Sequence, residues 1–317
     1  MNVIYSSDEN YVQHMAVSML SLFQTNSRLP QLNVYIISNG ISEQSRARLE
    51  ELANQYHRTI YWIEFGPFRD SLVLDMEWPI AISAYARLFL TKMLPEDCDR
   101  ILYLDCDTVV CDFLQELWET DMDGKLVGAV MDVVSPAFKK KISLEEDDIY
   151  INSGVLLIDL RRWRETAATE RFLAYIDQCE GRVPHHDQGT INHVLKGQIY
   201  VLSPKFNAMT PYFTSRYPNL IRFYDLRTYY SKADLRKAVK TPAIIHYTPE
   251  FVGRVWEKKC KHPRAKIYKR LLLQTPWSDG LQEGKALPIK LRIAYWMQKN
   301  LPVKIIDLLF GDKEYDK

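Results

Sequence analysis

Apolar, strand-prone runs alternate with helical patterns over roughly the first 200 residues, which predicts an α/β fold with a mostly parallel central sheet and helices on both faces. Two further observations shape that expectation. The chain has 317 residues, 47% of them hydrophobic, enough for one large core with an appendage. Towards its end it turns basic and aromatic with helical spacing, which divides it into an α/β domain over 1–255 and a helical C-terminal extension over 256–317.

The elements follow in order. Residues 1–6 read as a first strand, and Met15, Met19, Leu22 and Phe23 recur at the spacing of a helix. Residues 34–38 are a second strand, closed by the turn signal Asn39-Gly40. Ser42 suits the cap of a second helix, with Ser45 at its third position and Leu49 and Leu52 on its apolar stripe. Residues 59–64, 100–104, 126–130 and 151–159 are the later strands. No internal repeat or low-complexity segment is visible.

Composition narrows the partners. Lysine plus arginine number 41 against 40 acids, so no global charge favours nucleic acid. Cys98, Cys106, Cys111, Cys179 and Cys260 show no zinc-type spacing and suit free thiols in a reducing compartment. No signal peptide and no bilayer span are expected. Near the end, Lys285, Lys290, Arg292, Lys299 and Lys304 are interleaved with Leu291, Tyr295, Leu308 and Phe310. On a helix, Ile289, Ile293, Trp296 and Met297 share one face. Such a helix can lie on an anionic membrane surface or pack on the domain. The expectation is a cytoplasmic protein, peripheral on the inner face of the cell membrane through 285–310.

The chemistry centres on Arg100-Ile101-Leu102-Tyr103-Leu104-Asp105-Cys106-Asp107. An apolar strand runs directly into two carboxylates spaced i, i+2, which share one side of a strand. Ligands in such sheets sit beyond the carboxyl ends of the strands. Two hard oxygen ligands there can hold Mg²⁺ or Mn²⁺ and, through it, a diphosphate. A second triplet, Asp121-Met122-Asp123, lies before Gly124 with no strand ahead of it and reads as a solvated loop. The string Asp105-Cys106-Asp107-Thr108-Val109 also matches the aspartyl-nucleophile pattern of haloacid-dehalogenase-like phosphatases, with Gly311-Asp312 and Asp316 imitating a later acidic motif. That family normally opens with this strand, whereas here a long α/β stretch precedes it.

Other clusters bear on the choice. Asp8-Glu9-Asn10-Tyr11 follows the first strand, where acid and amide can pair with a base edge and Tyr11 can stack on its ring. Asn152 and Gly154 interrupt the apolar run 150–159. His185-His186-Asp187-Gln188-Gly189 precedes a helix expected near Thr190; its Asp and Gln can hold sugar hydroxyls, or Asp187 can cap the helix. His246 ends the apolar run that holds Ile244 and Ile245, and an imidazole is an acceptable third ligand for Mn²⁺.

In this order and spacing, the clusters resemble glycosyltransferase family 8, the retaining nucleotide-sugar transferases that include bacterial lipopolysaccharide galactosyl- and glucosyltransferases. The resemblance spans roughly residues 1–280 and also takes in Ser83-Ala84-Tyr85-Ala86-Arg87-Leu88 and Thr275-Pro276-Trp277. It implies a GT-A-type, single Rossmann-like domain. It implies a UDP-hexose donor, Mn²⁺ (or Mg²⁺), and a glycan, glycolipid or glycoprotein acceptor, in bacteria a cell-surface glycan. By resemblance, Asp105, Asp107 and His246 ligate the metal. Asp8, Asn10 and Tyr11 hold the uridine, with Ser6 and Leu104 in the same donor-binding set. Arg87 orients an acidic residue or a sugar hydroxyl, and Asn152, Asp187 and Gln188 line the donor sugar. One departure stands out. The family's His-Tyr-x-Gly-x-x-Lys-Pro-Trp has Pro249 at its glycine, and a basic residue returns only at Arg254, two residues late. An arginine there imposes a different phosphate geometry, and weakened activity or a non-catalytic, sugar-nucleotide-binding scaffold is the alternative it raises.

Overall fold

The structure is a computed structural model that describes residues 1–75 and 82–310, with side chains to 306. Seven strands form the central sheet. They are β1 (Asn2–Ser7), β2 (Asn33–Ser38), β3 (Thr59–Glu64), β4 (Arg100–Leu104), β6 (Val127–Met131), β7 (Ile151–Asp159) and β8 (Ile199–Val201), in the order β3-β2-β1-β4-β7-β6-β8. β5 (Thr108–Val110), β9 (Ala208–Met209) and β10 (Ile244–His246) make a small second sheet. In the large sheet only β7 runs against its neighbours β4 and β6; the remaining pairs are parallel.

Alternation along the strands divides the core into two layers, one on each face. Val3 and Tyr5 of β1 and Leu102 and Leu104 of β4 pack into one layer; Ile4, Ile101 and Tyr103 pack into the other. Eight of the nine residues of β7 are buried, as suits a central strand covered on both sides. Edge strand β3 is half-exposed.

Local signals explain the first helices. Val12–Thr25 carries a wide apolar face and is almost wholly buried. Ser42 caps Glu43–Gln55 by accepting a hydrogen bond from Ser45 N at 3.2 Å, as its residue type predicts.

The division expected between 255 and 256 falls inside the core. Trp256 and Ala265, Tyr268, Leu271 and Leu272 of the helix Ala265–Leu272 bury themselves in the same layer as Val3 and Phe23. The change of character comes later, at the helices Ile289–Asn300 and Val303–Phe310, whose apolar side chains include Ile289 at 71% and Trp296 at 56% exposure. Among the described residues, no helix is long and apolar enough to cross a membrane.

The topology decides where a ligand can sit. β1 lies between β2 and β4, with Ile4 beside Tyr103, so Ser6, Ser7 and Asp8 emerge next to Asp105. Here the strand order reverses, and a crevice opens beyond the strand ends. The second sheet supplies the remaining part: β10 pairs antiparallel with β5, His246 opposite Thr108, and Tyr247 N donates to Asp107 O at 2.9 Å.

Candidate active site

At this edge lies a cavity of about 500 Å³. Ser6, Asp8, Asn10, Tyr11, Arg87, Asp105, Asp107 and Arg254 all line it. Asp8 shapes the loop after β1: its Oδ1 accepts from Asn10 N at 2.9 Å and Tyr11 N at 3.2 Å. Tyr11 stands edge-on to Trp256, and Trp256 stacks on His14 at 3.8 Å between centroids. The aromatic wall beside the cavity is thus built from both ends of the chain. Leu104 differs from the expectation. It is wholly buried in the core and lends the site its strand but no side chain.

Asp105, Asp107 and His246 each offer a ligand atom, all within 4.8 Å of one another. His246 Nε2 lies 3.1 Å from Asp107 Oδ1 and 3.8 Å from Asp105 Oδ2. Its other nitrogen is oriented from behind. Gly154 N donates to Asn152 Oδ1 at 3.0 Å, and Asn207 Nδ2 donates to the same oxygen at 2.8 Å. That leaves Asn207 Oδ1 to accept from His246 Nδ1 at 3.1 Å, so a neutral ring would offer its Nε2 lone pair to a cation between it and the carboxylates. Burial alone would raise the Asp107 carboxyl, but His246 beside it pulls it below its ordinary value. Burial would likewise lower His246, and Asp107 raises it.

Space is reserved around this cluster. A Cβ at Gly154 would stand 2.3 Å from His246 Cε1 and 2.8 Å from Asp105 Oδ2. Two carboxylates and an imidazole, aimed at one point and backed by hydrogen bonds, fit a hard divalent cation.

Arg87 joins this cluster to the next. Buried beneath Asp105, it donates from Nη2 to Asp105 Oδ1 at 2.9 Å and from Nη1 to Ser153 O at 2.5 Å, while its Nε lies 3.1 Å from Asp187 Oδ2. Arg87 thus stands against two acids, Asp105 and Asp187. Burial pushes the Asp187 carboxyl up to about 6, with Arg87 pulling the other way.

Asn152, Asp187 and Gln188 do not line the 500 Å³ cavity; they form a polar network deeper along β7. Gln188 Oε1 accepts from Ser153 N at 3.0 Å, and its Nε2 donates to Asp132 Oδ2 at 2.9 Å. The helix that carries Asp187 and Gln188 starts earlier than expected, at His186, so Asp187 sits in its first turn and does not cap it. Gly189 lets this helix press on the preceding loop, where a Cβ would meet Pro184 O at 1.9 Å.

Two residues of this network escape sequence reasoning. Asp132, one residue past β6, shows the same signal as Asp105, a carboxylate just beyond a buried strand, and could have been found by it. Asn207 sits in a short 3-10 turn, Pro204–Asn207, and carries no signal in the sequence.

Despite the departure around Pro249, a basic residue stands at the cavity. Arg254 reaches the cavity, its Nη1 3.9 Å from Asp107 Oδ2 and its guanidinium over the Trp256 ring. The two-residue delay is taken up by the loop. Asp312 and Asp316 lie outside the described residues.

A carboxylate–imidazole cluster compatible with a metal, beside a cavity at a sheet switch point, sits here on an α/β fold of the GT-A type. The chain belongs to glycosyl transferase family 8, whose model matches residues 2–259. It is therefore a glycosyltransferase, of a family whose enzymes use a divalent metal and a nucleotide sugar. It is 28% identical to a lipopolysaccharide 1,2-glucosyltransferase of Escherichia coli K12, over 88% of this chain and 79% of that one. It is 26% identical to general stress protein A of Bacillus subtilis, over 88% and 95%. Its fold superposes on the galactosyltransferase LgtC, solved with donor and acceptor sugar analogues, with a TM-score of 0.73 and 25% identity over 92% of this chain and 99% of that one. Family membership sets the phosphatase alternative aside.

Proposed function

We propose that the protein transfers galactose or glucose from a UDP-hexose to a hydroxyl of a glycan, glycolipid or glycoprotein, with the anomeric configuration kept. The observation that carries this reading is the convergence of Asp105, Asp107 and His246 at the mouth of the cavity lined by Asp8, Asn10 and Tyr11. Relatives named for lipopolysaccharide glucosyl and galactosyl transfer support the hexose class and a cell-surface glycan acceptor.

In this reading Asp8 and Asn10 hold the uridine and Tyr11 stacks on its ring. Arg254, which lines the cavity, faces the diphosphate. A cation held by Asp105, Asp107 and His246, Mn²⁺ or Mg²⁺, supplies Lewis-acid stabilisation of charge developing on the departing UDP. Asn152, Asp187 and Gln188 remain the donor-sugar residues of this reading, which requires the sugar to reach past the cavity lining to their network. Gln188 is a poor nucleophile, and both ends of its amide are already engaged by Ser153 and Asp132. Same-face attack, with the acceptor proton passing to the leaving phosphate, therefore accounts for retention better than a covalent sugar–Gln188 species. Arg254 reaching the cavity favours this catalytic reading over a non-catalytic scaffold. The exposed apolar side chains of Ile289–Asn300 support peripheral contact with the inner face of the membrane through 285–310.

A panel of UDP-sugars, each with and without Mn²⁺, tests the proposal by thermal shift and hydrolysis. A ligand at a hundred times its Kd stabilises the native state by about 2.7 kcal/mol. UDP with Mn²⁺ is expected to raise the melting point, and UDP-galactose or UDP-glucose to be hydrolysed. No shift with UDP and no hydrolysis of any hexose donor would sink it.

A further inference from the structure

A second cavity, of about 430 Å³, opens between the helices Tyr217–Phe223 and Lys232–Lys240 and shares no lining residue with the first. Five cations line it: Lys232, Arg236 and Lys240 from one helix, Arg216 from the residue before the other, and Arg264 from the start of Ala265–Leu272. The first three are spaced i, i+4, i+8 and stack on one helix face, where like charges repel. No carboxylate lines the cavity, and among the described residues none of the five is recorded in an ion pair. The acid on that helix, Asp234, is turned to the helix cap, its Oδ2 accepting from Ser231 N at 3.2 Å and Ser231 Oγ at 2.6 Å. Arg264 is fixed by donating from Nη2 to Val239 O at 3.1 Å. The floor is apolar, with Leu220 and Leu235 buried beneath the charged rim.

Unneutralised guanidinium and ammonium groups around a concave surface suit a phosphate. The surroundings indicate which source of phosphate. Arg216 N donates to Gln298 O at 3.1 Å, and Asn219 Nδ2 donates to Gln298 O and Leu301 O, both at 2.8 Å. These bonds fasten the end of Ile289–Asn300 to the cavity wall. That helix carries Ile289, Ile293 and Trp296 exposed at 71%, 52% and 56%. A cationic cavity tied to an exposed apolar helix matches the boundary between headgroups and acyl chains.

We propose that this cavity binds the phosphate of an anionic phospholipid and so seats the protein on the membrane. The inference rests on the peripheral-membrane reading above and adds to it a headgroup site on the α/β domain. The full-length protein is co-sedimented with vesicles of phosphatidylcholine alone and of phosphatidylcholine with phosphatidylglycerol. The double variant Arg236→Ala/Lys240→Ala is expected to lose about thirty-fold in affinity for the anionic vesicles, from two basic residues removed. The charge-preserving Arg236→Lys/Lys240→Arg should keep most of it, and circular dichroism should show both variants folded. Trp296→Ser separates the two readings. If it weakens binding while the alanine pair does not, the helix contact stands and the headgroup site falls. If the wild-type protein ignores both vesicle types, both fall. Calorimetric binding of glycerol 3-phosphate that the alanine pair abolishes, without vesicle recruitment, would overturn the lipid as the source.

Discussion

The chain contains two Asp-x-Asp triplets, and they have different fates. Asp105 and Asp107 leave a buried strand, the first held by Arg87 and the second by the backbone N–H of Tyr247, and face His246 at 3.1–3.8 Å. Asp121 and Asp123 lie exposed in a turn where Asp123 (φ 49°) and Gly124 (φ 72°) are left-handed, and Asp121 Oδ1 accepts from Asp123 N at 3.0 Å. The second triplet spends its carboxylate on its own turn; the first has its carboxylates half-buried at the cavity and aimed at a third ligand. What makes a candidate metal site is the strand end and the partner brought to it, not the spacing of two acids.

The largest expected effect separates the two triplets directly. Asp107→Ala should lower Mn²⁺-dependent UDP-hexose hydrolysis by about 10³-fold. It should also remove the Mn²⁺-induced thermal shift while the far-ultraviolet circular dichroism stays native. Asp121→Ala should leave turnover unchanged and stability within about 0.5 kcal/mol. Equal losses in both variants would break the distinction.

A smaller effect sharpens it from behind the cluster. Gly154→Ala adds a methyl 2.3 Å from His246 Cε1, and neither the buried imidazole nor Asp105, tied to Arg87, has room to yield freely. Displacing a ligand by about 1 Å costs on the order of 10²-fold in rate. The variant should show weaker Mn²⁺ binding and a lower kcat together, with the KM for donor little changed.

Much of this was legible in the sequence, for identifiable reasons. Strand periodicity and the Ser42 cap give the large sheet and its early helices because those signals are local. Asp105, Asp107 and Arg87 sit beside elements that announce themselves. The rest depends on long-range pairing. Nothing near Thr108 indicates that β5 pairs with β10, 138 positions on by the register Thr108↔His246, and that pairing sets the third ligand. Asn207 orients His246 from a turn with no pattern of its own. The boundary expected after 255 fails for a related reason. Helix Ala265–Leu272 is basic and amphipathic, so its composition resembles the extension, while its apolar face, with Tyr268, Leu271 and Leu272, belongs to the main core.

The smallest effect follows from the contrast between histidines. His246 faces carboxylates and is raised, whereas His14 and His262 are buried among aromatic rings. Burial pushes His14 down to about 4 and His262 to about 3, the latter aided by Arg264. Below an unfolded value of about 6.5, the unfolded chain therefore binds protons that the native state refuses. Stability is full above about pH 6.5 and is lost as the pH falls towards 4, by about 2 kcal/mol per histidine at pH 5. Asp187, raised by burial to about 6, works the other way over the lower part of that window. The measurement is the urea midpoint between pH 7 and 5 for wild type, His14→Asn and His262→Asn. Asparagine keeps an acceptor near Nδ1, which in His14 meets Tyr268 Oη at 2.6 Å and in His262 accepts from Arg264 N at 3.1 Å, but it cannot take a proton. Each variant starts lower at pH 7 through lost packing, yet its stability should fall less steeply with acid. Parallel slopes in all three proteins would show that the two rings titrate alike in the folded and unfolded chain.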